Sequence, residues 1–153
     1  MHGPIDCVTR RERVIFIASS LLICTGIHLS GKMADIYERI YQDLKHLGVL
    51  EVRQYAVIHN DPYPPLCIDR LAPDHFAIAH NRNEDGTLVP DPDMEIRVFP
   101  DKKMAEPLTY QDANGRRIVY PEPGRVDLKT KNELTVYLGN WLKDLVEKGY
   151  HRE

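Results

Sequence analysis

The chain has no excess of positive charge, no cysteine pair and none of the glycine-rich signatures of nucleotide enzymes, and each absence closes off a class of function. Its 153 residues carry 20 basic against 23 acidic side chains, a formal net charge of -3, so no global positive field exists to hold a phosphate backbone. Nucleic acid is not expected as a partner. Cys7, Cys24 and Cys67 stand far apart without a CxxC pair, which argues against a disulfide framework and a zinc knuckle and fits a reducing compartment. There is no GxGxxG and no strand, glycine-rich turn and helix unit, so Rossmann-type nicotinamide or flavin binding is set aside. P-loop and GxSxG are missing too, which removes the usual phosphate cradle and the serine-hydrolase elbow. No cofactor is expected.

Metal chemistry has few candidates. His59, His75 and His80, with Asp61 and Asp74, are the one grouping of ligand types. His75 and His80 differ by an odd number of residues, so on one regular strand they point to opposite faces and cannot share an ion. Cys67 lies in an apolar strand-like stretch and reads as a buried small hydrophobe rather than a nucleophile. A sharper enzyme reading comes from Pro73-Asp74 followed by Glu95-Ile96-Arg97. It approximates the PD...(D/E)xK core of metal-dependent nucleases, whose carboxylates hold Mg²⁺ on adjacent strands. Arg97 stands where that core needs a lysine, and arginine does not readily transfer a proton. No catalytic residue and no metal ligand is assigned on this basis.

What is present begins with Arg10, Arg11 and Arg13 ahead of the uncharged run Val14–Ile27. That is the basic and apolar order of a secretory signal, and the run is short for a membrane span. The cleavage region is poor, with His28, Leu29 and Lys32 where small residues belong. The preferred reading makes residues 1–32 a non-domain upstream extension and residues 33–153 a single domain of a cytoplasmic protein. Export or anchoring is the minority reading. No membrane partner is expected if the chain starts at Met33.

From Met33 on, periodicity predicts an α+β fold: an N-terminal helix, about six strands in a mostly antiparallel sheet, and a C-terminal helix packed on one face. Ile36, Ile40, Leu44 and Leu47 define the first helix over Ala34–Leu47, stopped by Gly48. Strands are predicted at Val52–His59, Leu66–Leu71 and Asp74–Asn81, separated by the turn segment 60–65 and the loop 82–87 around Asp85-Gly86. Arg117–Tyr120 is predicted as the sixth. The last helix carries a capping box at Thr130 and Glu133, with Asp127 as an alternative cap, and a stripe of Leu134, Tyr137, Leu138, Trp141, Leu142 and Leu145.

The stretch Asp91–Gln111 is the centre of this plan. Met94, Ile96 and Val98 alternate with Asp93, Glu95 and Arg97, and Pro100-Asp101 supplies a turn before the return strand Met104–Gln111. Pairing Phe99 with Met104 across four residues puts Arg97 opposite Glu106 on the polar face, and Met94, Ile96 and Val98 become the seat for the Trp141 stripe.

Residues 94–149 also resemble the YqiB-like family of uncharacterised bacterial proteins. The resemblance rests on Arg97, Asp101, Ala105, Glu106, Gln111, Tyr120, Pro121, Trp141 and Leu142, and implies a cytoplasmic bacterial protein without naming a reaction. The expected function is a non-catalytic binding or accessory domain, contacting a protein partner or a second copy. Its candidate binding residues are Arg97, Glu106, Glu95, Asp101 and Gln111. The alternative is a metal-dependent hydrolase or nuclease using Asp74, Glu95 and Glu106.

Overall fold

Apolar side chains at helical spacing make the first element of the domain an amphipathic helix. In the computed structural model, which describes residues 31–153, this helix is α1, Gly31–His46. The expectation for residues 1–32 therefore lies, but for its last two positions, outside the described residues. Gly48 ends the element at φ 79°. A Cβ on Gly48 would stand 2.9 Å from the Cβ of Arg152, so glycine serves both the backbone and the close passage of the C-terminal segment.

Six antiparallel strands follow in chain order across one sheet: β1 Tyr55–Asn60, β2 Tyr63–Ala72, β3 His75–Glu84, β4 Thr87–Phe99, β5 Met104–Asp112 and β6 Gly115–Ile118. The C-terminal helix α2, Leu128–Glu147, packs against this sheet, which makes the fold α+β as expected. Leu134, Leu138, Leu142 and Leu145 of α2 join Ile40 and Leu44 of α1 and Met94, Ile96 and Val98 of β4 in one buried cluster.

Several boundaries differ from the expectation, each for a local reason. The segment 82–87 is not a loop: β3 runs to Glu84, β4 resumes at Thr87, and only Asp85 and Gly86 turn, both at positive φ. A two-residue turn of this kind matches the strand twist and keeps the ladder intact to its end. Arg82, Asn83 and Glu84 are exposed, so no alternation marked them as strand. Pro64 and Pro65 belong to β2, at the place where its register with β1 shifts between Ile58 and Asn60, a position that tolerates proline. Their carbonyls accept from Tyr150 Oη at 2.6 Å and His80 Nδ1 at 2.9 Å. The sixth strand ends at Ile118 rather than Tyr120. At α2 the cap is Asp127, whose carboxylate accepts from the Thr130 backbone at 3.0 Å. The Thr130 box does not form, because Thr130 is already inside the helix and Glu133 pairs with Arg117. Trp141 is only half-buried, edge-on to His80 with centroids 5.6 Å apart, so the leucines and not the tryptophan fill the core.

Candidate functional site

Along β4 the apolar residues Met94, Ile96 and Val98 take the core, which leaves Asp93, Glu95 and Arg97 on the other side of the strand. A 3-10 turn at Pro100–Lys102 and a left-handed Lys103 at φ 51° close the connection to β5. The resulting register sets Phe99 opposite Met104 and Arg97 opposite Glu106, as the alternation and loop length required.

The pair is more than a surface rung. Nε and Nη2 of Arg97 donate to Oε1 of Glu106 at 3.0 and 2.5 Å, and the second carboxylate oxygen accepts from Lys131 Nζ at 2.8 Å and Tyr120 Oη at 2.9 Å. Lys131 Nζ also donates to Tyr120 Oη at 3.0 Å. The side chains of Glu106 and Lys131 are 5% and 4% exposed, against 34% for Arg97. These contacts are possible because β6 pairs only the Thr109–Asp112 half of β5. Past the end of β6, Tyr120 and the first turns of α2 close over Glu106. Aromatic faces complete the surroundings: the Arg97 guanidinium lies 5.3 Å from the Phe99 ring centre and 5.2 Å from that of Tyr120, and the Lys131 ammonium 5.7 Å from that of Tyr37.

Burial alone would push the Glu106 carboxyl up, but hydrogen bonds and charge from Lys131 and Arg97 outweigh it and hold the group below its ordinary range. For Lys131 and Arg97, burial would favour the neutral forms, and Glu106 reverses this and holds both above theirs. The Tyr120 phenol is pushed up by burial and then by the Glu106 charge. Two cations share one carboxylate, so the cluster carries one positive charge in excess.

The other expected site residues are distributed around this centre. Glu95 accepts from His75 Nε2 at 3.0 Å and has Arg116 Nη2 at 3.5 Å from its second oxygen. Gln111 is the register partner of both Asp93 and Arg116. Asp101 stays exposed in the 3-10 turn. Lys131, His75 and Arg116 were not among the expected site residues, and Tyr120 entered only through the family resemblance. One signal for Lys131 was available: it continues the spacing of Leu134, Leu138, Leu142 and Leu145 by one step toward the N-terminus, a charged residue in the apolar phase of a helix.

Residues 35–151 match the family described as a domain of unknown function, DUF6908. The chain belongs to the DUF6908 family. The match takes in all six strands and the whole of α2, and with them Arg97, Glu106, Tyr120 and Lys131. No curated protein and no solved structure matches the chain. Among the described residues of this DUF6908 domain, no helix is long and apolar enough to cross a membrane.

The residues of the alternative enzyme reading do not assemble in the DUF6908 domain. Asp74 is exposed in the β2–β3 turn, Glu95 is engaged by His75, and both oxygens of Glu106 face cations that would repel a divalent ion. Among the described residues, no three of His, Cys, Asp and Glu are grouped to hold a metal. His75 and His80 do leave opposite sides of β3: one meets Glu95, the other the Pro65 carbonyl. Cys67 is buried, as its apolar surroundings suggested, but it is disulfide-bonded, contrary to the reading from cysteine spacing. Separation along the chain does not set separation in space.

Proposed function

We propose that this DUF6908 chain is a non-catalytic binding or accessory domain that recognises an anionic group of its partner at the β4–β5 hairpin. The carrying observation is the Glu106 carboxylate between two cations, one buried and one reaching solvent. Glu106 takes Nε and Nη2 of Arg97, and the side chain still keeps about a third of its surface open to a ligand, at 34% exposure. An arginine fixed by a carboxylate and flanked by two rings loses little further freedom when it binds. Lys102, 5.9 Å from the Phe99 ring centre, adds positive charge at the same end. The electrostatics also suit recognition better than proton transfer. A general acid or base needs a pKa drawn toward neutrality, whereas Glu106 is held down and Lys131 up.

The partner is a protein presenting an acidic group, or a second copy of this chain. A relationship to the YqiB-like bacterial proteins and a cytoplasmic location belong to the same proposal and rest on the resemblance over residues 94–149. Titration with acetate, inorganic phosphate and an acidic peptide, followed by amide chemical shifts, tests the reading. Saturable shifts at Arg97, Phe99 and Lys102 are expected, and they should vanish in Arg97→Met. Shifts confined to other strands would overturn the site, and turnover of a substrate by the isolated chain would overturn the non-catalytic assignment.

A further inference from the structure

Next to Arg97 in the sheet stands His75. The two are register partners across β3 and β4, so their side chains leave the same face with Cα atoms about 5 Å apart. Each is held from behind by its own carboxylate, Glu106 for Arg97 and Glu95 for His75. With Arg116 3.5 Å from its other oxygen, Glu95 is a hydrogen-bond acceptor, so Nε2 of His75 carries the hydrogen. A neutral imidazole held this way presents a lone pair at Nδ1. The side chains of His75 and Arg97 are 24% and 34% exposed, so both reach solvent. Neighbouring positions thus offer a charged donor and a neutral acceptor.

We infer that His75 and Arg97 together bind a phosphate group that retains a hydroxyl, as in inorganic phosphate or a singly protonated phosphomonoester. Arg97 donates to a charged oxygen of the group, and its P–OH donates to His75 Nδ1. Sulfate has the same shape and charge but no proton to give, so one of its oxygens would meet the Nδ1 lone pair unpaired. This inference rests on the hairpin being an anion receptor and adds which anion it selects.

Calorimetric titration of the full chain with inorganic phosphate, sulfate and acetate at pH 8 tests it. Phosphate is expected to bind about tenfold or more tighter than sulfate, the size of one unpaired polar contact. His75→Phe should abolish the preference, lowering phosphate and leaving sulfate no weaker than in the parent. Arg97→Lys, which keeps a cation beside Glu106 and so protects the fold, should weaken both. Equal affinities, binding of acetate alone, or a phosphate preference that survives His75→Phe would overturn the inference and leave the anion-receptor reading standing. Binding of none of the three would overturn both.

Discussion

Removing Glu106 and removing Lys131 should not cost the same, although they form one ion pair. In Glu106→Leu the Lys131 ammonium, 4% exposed, keeps only the Tyr120 hydroxyl and two ring faces and cannot swing into water. A buried charge stranded in this way costs about 3–5 kcal/mol. In Lys131→Met the carboxylate retains Arg97 through two hydrogen bonds and Tyr120 through a third, and the methionine fills the space of the lysine stem. That loss is roughly 1.5–3 kcal/mol, the range for hydrogen bonds to charged groups. In the double variant both charges are gone and an apolar pair takes their place, so its cost should fall short of the sum of the single costs by about 2 kcal/mol or more. Urea and thermal unfolding at pH 7, followed by circular dichroism, measure all three. The Glu106→Leu transition is expected roughly 10–20 °C lower than the parent. Additive costs, or a Lys131→Met variant less stable than Glu106→Leu, would refute the argument that Lys131 is the charge that cannot escape.

Because the folded Glu106 pKa lies below the ordinary 4.5, its stabilisation is full above that value and is lost as pH falls through the folded pKa. Glu106→Gln should flatten the acid limb of the stability curve, and an unchanged limb would place the linkage elsewhere. Burial first of all holds His80 below its ordinary 6.5. Its contribution is therefore full above 6.5 and declines as pH drops toward the lower folded value. His80→Phe should remove that slope and cost about 1 kcal/mol for the lost bond to Pro65, both visible in urea midpoints taken between pH 5 and 8. Gly48→Ala should cost about 1–2 kcal/mol, since an L-residue is strained at positive φ, and its new Cβ would crowd Arg152. A stability equal to the parent in denaturant titration would show that the C-terminal segment yields freely.

The electrostatic cluster also connects the fold to its proposed use. Arg97 and Lys131 stand 34 positions apart in sequence, and Glu106 holds both. Any ligand that draws on Arg97 therefore also loads the N-terminal turns of α2 through the shared carboxylate. Binding should tighten α2 as well as the hairpin, and hydrogen exchange of the amides around Lys131 with and without inorganic phosphate would show it as added protection.

Much of this protein was settled by local sequence. Alternation at Met94–Val98 and the four-residue connection through Pro100 determined the hairpin register, and with it the Arg97–Glu106 pair, because a one-residue slip would put the apolar set in water. The helical spacing of Ile40 and Leu44 and of Leu134, Leu138 and Leu142 likewise determined two helices with one apolar face each. What only the tertiary structure decided is where the unpaired part of β5 ends up. β6 stops at Ile118, so Tyr120 and Lys131 cover Glu106. That turns a surface rung into a buried carboxylate between two cations. The same holds for His75, which meets Arg97 through the register of β3 on β4, set by the two-residue turn at Asp85-Gly86 and the register shift between Ala79 and Asn81. Local patterns report which face a residue takes; the groups that meet there are set by how strands end and how helices return, and those depend on the packing of the whole chain.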